Sequence, residues 1–286
     1  MMKPVLKWAG SKYKIIDKII AVLPEGERLI EPFVGSGAVF LNTDYREYLL
    51  ADINSDLINF YNILKEGGEN FIEYCSAFFI PKNNSEKEYY RLREKFNSSN
   101  DIYERSALFL YLNRHGYNGL CRYNRSGEFN VPFGRYKKPY FPEKEMIYFI
   151  QKCRRSKVEF VVKDFRETMK EAKNGDVIYC DPPYVPLSAT ANFSDYASEG
   201  FGLQEQKELA DLAKQLRRKG IPVVISNHDT EFTMQEYEEA RIIRFQVRRY
   251  ISCNGANRNY APELLAVFYV APKSSIELGI NWFNLL

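Results

Sequence analysis

The chain is poor in the residues that build zinc sites and disulfide frameworks. Its 286 residues include two histidines, His115 and His228, and five cysteines, none of them in a C-x-x-C pair. Because these residues do not stand at metal-ligand spacing, we expect no bound metal. An odd number of unpaired cysteines is typical of reduced thiols, which predicts a cytoplasmic protein.

Long apolar runs and strong net charge are also missing. No stretch of about 18 apolar residues occurs, so no membrane span is expected, and residues 1–12 lack the apolar centre of a signal peptide. The formal net charge is only +3 at pH 7, which is low for a protein that binds nucleic acid by electrostatics alone. Basic residues nevertheless cluster at 122–138 and 241–249. Such patches fit a protein that touches one face of DNA.

What the chain does contain is an alternation of strand-like and helix-like segments. Short apolar runs predict strands, and they lie at 28–33, 48–51, 158–162, 177–180, 223–226 and 264–269. Apolar residues at helical spacing separate several of them, as at 14–23 and 204–219. Strands that alternate with helices predict an α/β fold with a doubly wound, mainly parallel, Rossmann-like sheet.

A different pattern interrupts this alternation in the first half of the chain. Helical spacing continues to about residue 113, and a stretch rich in Gly, Tyr, Asn and Arg follows. Within it, residues 120–123 and 128–133 flank the predicted hairpin turn Asn124–Gly127. The predicted domains are an inserted helical and β-hairpin domain at 55–144, with its hairpin at about 118–136, and a second domain formed by 1–54 and 145–286.

The first motif is the loop Glu31–Gly37, which ends a predicted strand and opens a helix. Its glycines let the backbone approach a ligand at the carboxyl end of the sheet. Asp52 ends the next strand, where a carboxylate can accept hydrogen bonds from ribose hydroxyls. The spacing is not G-x-G-x-x-G, which disfavours a nicotinamide cofactor. An ordinary glycine turn between strand and helix stays open as an alternative.

The second motif, Asp181-Pro182-Pro183-Tyr184, follows an apolar strand. Two prolines fix the backbone and remove two donors, so we expect the adjacent carbonyls to be unpaired. Such a corner suits an exocyclic amine, because Asp181 and the Pro182 carbonyl can accept both amine hydrogens. Tyr184 can stack on a base that has flipped out of a duplex. The alternative is a rigid Pro-Pro turn capped by an aspartate.

The third motif is the predicted hairpin. Arg122 can donate two hydrogen bonds to guanine O6 and N7 in the major groove, and Leu120 and Pro132 can contact a thymine methyl. A solvated basic hairpin without a partner is the alternative.

Taken together, the chain resembles the Dam family of GATC-specific DNA adenine-N6 methyltransferases. The resemblance extends to about Tyr269. Five segments carry it in the family's order: Lys7–Lys12, Glu31–Gly37, Asn118–Asn124, Phe129–Tyr136 and Asp181–Tyr184.

The resemblance implies a catalytic domain that binds S-adenosylmethionine and releases S-adenosylhomocysteine, with 55–144 as the target-recognition domain. The implied catalytic residues are Asp181, Pro182 and Tyr184. The implied cofactor residues are Trp8, Ala9, Gly10, Lys12, Phe33, Gly35, Ser36, Asp52, Asp164, Phe165 and Asp181. Ser11 departs from the glycine common in the family, and we expect it to be tolerated only if its φ is negative.

The implied partner is double-stranded DNA, bound by a monomer associated with the nucleoid. Tyr117 is expected to insert near the flipped base, and Lys7 to read the second guanine. The residues expected to lie at the bases are Lys7, Tyr117, Leu120, Arg122 and Pro132. The residues expected to contact phosphates are Asn118, Asn124, Arg135, Tyr136 and Lys137.

Three other functions stay open at this point. Methyl transfer to cytosine N4 uses the same acceptor corner, although the recognition segment favours adenine. An amide methyltransferase acting on protein glutamine usually carries Asn at the first position of the corner, where this chain has Asp181. A regulator that binds cofactor and DNA without catalysis is disfavoured by the intact Asp181.

Overall fold

We describe residues 1–187, 201–248 and 260–269 of a computed structural model. Contacts within the chain divide it into two compact units. The first unit comprises Met1–Ala21 and Glu27–Lys170, and the second comprises Val22–Gly26 and Glu171–Leu286.

The strands of the first unit are parallel and lie in the order β3-β2-β1. They are β1 (Arg28–Glu31), β2 (Glu47–Asp52) and β3 (Lys157–Val162). In register, Leu29 lies opposite Tyr48 and Tyr48 opposite Val158. Strands β1 and β2 are almost continuously buried, as expected for strands covered on both faces.

Seven α-helices of the first unit are described. They are α1 (Ile16–Ile20), α2 (Ala38–Asn42), α3 (Ser55–Ser76), α4 (Glu86–Ser98), α5 (Ile102–His115), α6 (Glu143–Arg155) and α7 (Phe165–Lys170). Side-chain caps begin several of them: Asn54 accepts from the Leu57 amide, and Asp101 accepts from the Tyr103 and Glu104 amides. Inside α3, Gly68 has a φ of +55°, so the helix is interrupted there.

A buried ion pair joins the helices to the predicted hairpin. Arg105 on α5 donates to both carboxylate oxygens of Asp56 on α3, at 2.6 and 3.0 Å. The Tyr123 hydroxyl donates to the same carboxylate at 2.7 Å. The network therefore fixes one side of the hairpin to the helices.

The predicted hairpin forms its turn but only part of its strand pairing. The Asn124 side chain accepts from the Ser126 and Glu128 amides, and Gly127 has a φ of +76°. The expected pairing of 120–123 with 128–133 is present only beside the turn, where Asn124 N donates to Glu128 O at 2.9 Å and Asn130 N donates to Arg122 O at 3.0 Å, around an isolated bridge at Tyr123–Phe129. Side chains from α4 bond backbone groups of this segment that the pairing does not use. Asn97 bonds both backbone groups of Phe129, and Tyr89 and Arg93 donate to the Val131 carbonyl.

Four strands of the second unit are described, in the order β4-β5-β7-β6. They are β4 (Asp176–Cys180), β5 (Val223–His228), β6 (Arg241–Arg248) and β7 (Tyr260–Phe268). Strands β4 and β5 are parallel, whereas β7 runs antiparallel to both β5 and β6. The helices described in this unit are α8 (Leu203–Arg218) and α9 (Glu231–Glu236).

Strand β6 is absent from the prediction, which treated its arginines only as a basic cluster. Its apolar residues interleave with exposed Arg241 and Arg244, a pattern that protects an edge strand from pairing with other chains. Of that cluster, Arg249 and the side chain of Arg248 lie outside the described residues. The mixed, mostly parallel strands and the helices around them confirm the predicted α/β class. Among the described helices, none is long and apolar enough to cross a membrane.

The Arg105–Asp56 pair generates a stability prediction. Replacing Arg105 by Met leaves a carboxylate buried without its cation, so we expect the free energy of unfolding to fall by about 3 kcal/mol. Arg91→Met, which removes an exposed pair with Glu88, should leave it nearly unchanged. Chemical denaturation of both variants measures this, and equal effects would contradict the assigned role of the pair.

Candidate active site

A tight turn near the N-terminus organises the first group of predicted cofactor residues. The Ser11 amide donates to the Trp8 carbonyl at 3.2 Å, with Gly10 at a φ of +75°. Lys12 is buried, and its ammonium donates to the Gly10 carbonyl at 2.7 Å. Ala9 is exposed at the tip of the turn. Ser11 has a φ of −50°, so the condition for a serine at this position is met.

The loop after β1 lies against this turn. Gly35 has a φ of +45°, and a Cβ there would lie 3.0 Å from Trp8 Nε1. The Tyr61 hydroxyl donates to the Gly35 carbonyl at 2.7 Å, and the hydroxyls of Ser11 and Ser36 are 2.9 Å apart. Glycine is therefore required at position 35 by both conformation and space.

The Asp52 carboxylate is oriented by backbone amides. Gly35 N donates to Oδ2 at 3.2 Å and Asn54 N donates to Oδ1 at 3.0 Å. Burial raises the pKa of Asp52, and the backbone hydrogen bonds from Asn54, Gly35 and Ile53 oppose that rise. The carboxylate keeps an acceptor site for a ligand hydroxyl.

Aromatic and apolar side chains follow the carboxyl ends of β1, β2 and β3. The rings of Phe33 and Phe165 stack with centroids 5.5 Å apart. Ile53, which the sequence analysis passed over, is 70% exposed. In the sequence, the available signal was an apolar residue directly after a predicted ligand-binding aspartate. In the structure, the exposed side chain offers a surface for a flat apolar group.

Asp164 caps α7, and its carboxylate pairs with Arg166. Its carboxylate accepts from the Arg166 amide at 2.8 Å and from the Arg166 guanidinium at 3.1 Å. Any contact with a cofactor adenine would therefore be shared with Arg166. The structure thus brings the predicted cofactor residues of the first unit together in three clusters: the turn at 8–12, the loop at 33–36 with Asp52, and the pair Asp164–Phe165.

In the second unit, the Asp-Pro-Pro-Tyr corner directly follows β4. Pro182 is buried and Pro183 is exposed. The expectation that the adjacent carbonyls are unpaired is wrong for Pro183, whose oxygen accepts from Gln206 Nε2 at 2.6 Å. Within the described ranges, no donor lies within hydrogen-bonding distance of Pro182 O. The corner therefore keeps one available carbonyl beside Asp181.

Asn227, at the end of β5, supports this corner from inside. Its Oδ1 accepts from the amides of Val185 and His228, at 3.0 and 2.9 Å. Its Nδ2 donates to Gln206 Oε1 and to the Tyr237 hydroxyl, both at 3.0 Å. Neither Gln206 nor Asn227 was predicted as a site residue. The only signal was a polar residue among apolar ones, on α8 and on β5.

Both the hydroxyl and the ring of Tyr184 contact neighbouring side chains. Its hydroxyl lies 3.4 Å from Glu263 Oε2, and its ring meets His228 edge-on at 4.8 Å. Burial, with the charges of Asp181 and Glu263, raises the pKa of Tyr184 well above its usual value, so the phenol stays neutral. His228 Nδ1 is 2.6 Å from the Val185 carbonyl, which agrees with a structural histidine.

Arg122 lies in residues 117–137, the predicted recognition segment. Its Nε donates to Asn130 Oδ1 at 2.8 Å, which holds the exposed guanidinium in place. Pro132 is exposed and Leu120 is half-buried. The turn occupies the side-chain oxygen of Asn124, and Glu128 Oε2 accepts from its amide at 2.9 Å, so its phosphate contact stays a prediction.

Lys7 connects the N-terminal turn to the recognition segment. Its ammonium lies 4.1 Å from the centre of the Tyr136 ring, and burial and the nearby Arg114 lower the pKa of Lys7. The backbone of Lys7 exchanges two hydrogen bonds with the side chain of Asn113, at 2.7 and 2.8 Å. Asn118, at a φ of +54°, donates from its amide to the Tyr136 hydroxyl.

The remaining predicted DNA residues lie on the surface of the same segment. Tyr117 is 51% exposed, and its amide donates to the Pro132 carbonyl at 2.8 Å. Arg135 donates to both carboxylate oxygens of Glu86 at 2.9 Å, so a phosphate would have to compete with that exposed pair. Lys137 is exposed. Among the described residues, no group of three or more His, Cys, Asp or Glu side chains could hold a metal ion.

Comparison with known proteins shows to which family the chain belongs. Residues 8–251 match the family described as D12 class N6 adenine-specific DNA methyltransferase. This chain is a member of the D12 class of N6 adenine-specific DNA methyltransferases. Such an enzyme acts on DNA and requires a methyl donor, and adenine is favoured over the cytosine-N4 alternative.

Individual members of the D12 class are closely similar to the chain. The DNA adenine methylase of Escherichia coli (strain K12) is 52% identical over 92% of this chain and 94% of that protein. The DNA adenine methylase of Serratia marcescens is 54% identical over 92% and 97%. That of Vibrio cholerae serotype O1 is 53% identical over 92% and 95%.

Two glycines of the recognition segment provide a matched test. Gly119 has a φ of +64°, and a Cβ there would lie 2.3 Å from Lys7 Cβ, whereas Gly127 has a φ of +76° with nothing within 4 Å. Alanine at either position costs ~1–2 kcal/mol of backbone strain, but only Gly119→Ala displaces Lys7. We expect both variants to lose stability and only Gly119→Ala to lose DNA affinity in titrations. Unchanged affinity of Gly119→Ala would remove Lys7 from the interface.

Proposed function

We propose that this enzyme transfers a methyl group from S-adenosylmethionine to N6 of an adenine flipped out of a GATC site in double-stranded DNA. The observation that carries the proposal is the corner at 181–184, where Pro182 O has no donor within the described residues and stands next to the Asp181 carboxylate. The similarity to DNA adenine methylases over 92% of the chain supports the choice of substrate. The monomeric state and cytoplasmic location expected from the sequence stay predictions.

The corner at 181–184 is suited to bind the two hydrogens of an amine. An exocyclic amine has two N–H bonds, so Asp181 can accept one hydrogen and Pro182 O the other. Both bonds orient the nitrogen lone pair away from the corner, which is an alignment effect. As the nitrogen becomes cationic in the transition state, the Asp181 carboxylate stabilises it. The methylated nitrogen is then acidic and loses its proton to solvent, so a strong general base is unnecessary.

The residues of the first unit fit the methyl donor. Gly35 provides a backbone surface that a Cβ would obstruct, and the Asp52 carboxylate, oriented by backbone amides, would accept from the ribose of the donor. Lys12 would neutralise the donor's carboxylate, and Ile53 and Phe33 would pack against its adenine. S-adenosylmethionine, when bound, supplies an electrophilic methyl on its sulfonium.

Recognition of the site is assigned to residues 117–137 with Lys7. The Asn130 side chain holds the Arg122 guanidinium, which favours two hydrogen bonds to one guanine over a loose phosphate contact. Exposed Tyr117 and Pro132 offer an aromatic wedge and a methyl contact. Tyr184, whose hydroxyl is engaged with Glu263, would stack its neutral ring on the flipped adenine.

Removal of the carboxylate tests the chemistry of the corner. In Asp181→Ala the single-turnover rate should fall by at least about 10²–10³-fold, while S-adenosylmethionine binding, followed by calorimetry, stays measurable. Asp229→Ala is the control, because it removes a carboxylate of the same unit that pairs with Arg244 at 3.0 Å. Near-normal turnover in Asp181→Ala would overturn the mechanism.

The proposed site preference is tested on duplexes that carry GATC or one changed base pair. Methyl incorporation from labelled cofactor should be highest with GATC, and digestion of treated plasmid by nucleases that respond oppositely to GATC methylation gives an independent result. Arg122→Ala should lower discrimination at one base pair by ~1–3 kcal/mol. Arg125→Ala, in the exposed turn, should keep the preference. An unchanged preference in Arg122→Ala would refute the base-reading role of Arg122.

A further inference from the structure

We propose that Gln206 and Asn227 are positioning residues that aim the Pro182 carbonyl at the target amine. This inference rests on the proposed function, because it assumes that Pro182 O accepts an amine hydrogen. Both residues belong to the second unit, Gln206 on α8 and Asn227 at the end of β5. We call them the amide pair.

The amide pair forms a continuous chain of hydrogen bonds to the corner. Asn227 Nδ2 donates to Gln206 Oε1 at 3.0 Å, and Gln206 Nε2 donates to Pro183 O at 2.6 Å. Asn227 Oδ1 also accepts from the Val185 amide at 3.0 Å. The pair therefore holds the backbone at two points, one before and one after Tyr184.

These two points determine where Pro182 O is directed. Proline rings fix φ at 182 and 183 but leave each ψ free. Gln206 fixes the direction of the Pro183 carbonyl, and Asn227 fixes the Val185 amide, so ψ of Pro183 and the path through Tyr184 are both constrained. With φ of Pro183 already fixed by its ring, the peptide plane that carries Pro182 O has little freedom left.

The amide pair also limits the number of competing acceptors. A corner with two available carbonyls would let the amine choose between two orientations, only one of which presents the lone pair correctly. Because Gln206 occupies Pro183 O, that carbonyl does not compete with Pro182 O for an amine hydrogen. Orientation errors of about 1 Å can lower a rate on the order of 10²-fold, so this restriction affects the chemical step.

Burial shows that the amide pair is not a surface feature. Gln206 is 2% exposed and Asn227 is fully buried. Burying an amide is unfavourable unless its hydrogen bonds are satisfied, and an apolar residue on this face of α8 would pack beside Leu209 and Ala213 at no such cost. A buried glutamine whose donor goes to the catalytic corner is explained by a requirement for that carbonyl's orientation.

Gln206→Met tests the inference, since it keeps the length of the side chain and removes the donor to Pro183 O. We expect the single-turnover methylation rate to fall on the order of 10- to 100-fold, with dissociation constants for S-adenosylmethionine and GATC duplex near wild-type values. Rates are expressed per folded site, counted by stoichiometric cofactor binding. Gln206→Asn, which keeps the amide but is too short to reach Pro183 O, should give the same loss and serves if the methionine variant does not fold.

Tyr237→Phe is the matched control. It removes the other partner of Asn227 Nδ2 and leaves the bonds to Gln206 and Val185 in place, so it should lower the thermal midpoint while the rate stays near wild type. A wild-type rate in folded Gln206→Met, or equal rate losses in Tyr237→Phe and Gln206→Met, would overturn the inference. If one of these two results is obtained and Asp181→Ala is inactive, the proposed function stands and only the role of the amide pair is contradicted. An active Asp181→Ala would contradict both the proposed function and this inference.

Discussion

The whole account depends on a corner of backbone that can accept hydrogen bonds and has few to donate. Asp181, Pro182 and Pro183 follow a buried strand, and the prolines lack amide hydrogens. The structure refines this picture, because Gln206 occupies the Pro183 carbonyl and the Pro182 carbonyl is available. One carboxylate and one carbonyl match the two hydrogens of an exocyclic amine.

Side chains also hold irregular backbone in a defined shape in the first unit, at the predicted recognition segment and at Lys7. Asn97 bonds both backbone groups of Phe129, and Asn113 does the same for Lys7. Such bonds satisfy buried backbone groups without a regular ladder. The segment can therefore present Arg122 and Tyr117 in conformations that a regular hairpin would not allow.

How far the sequence predicts the structure depends on how local the interactions are. The loop around Gly35, Asp52 and the corner at Asp181 were predicted because each is a short motif at the end of a strand. The predicted pairing of the hairpin forms only beside its turn, because Asn97 and Tyr89, far away along the chain, bond the backbone of Phe129 and Val131. Likewise, α6 and β6 were missed, and a glutamine on an amphipathic helix carries no sign that its partner is Pro183. Amide partners distant in sequence are visible only in the fold.

A crystal structure of the enzyme with a GATC duplex and an unreactive analogue of S-adenosylmethionine tests the central claim most directly. The account predicts that the target adenine is outside the duplex, with its amine nitrogen about 2.7–3.2 Å from both Pro182 O and the Asp181 carboxylate. An amine bound instead to Pro183 O, or an adenine that lies away from residues 181–184, would contradict it.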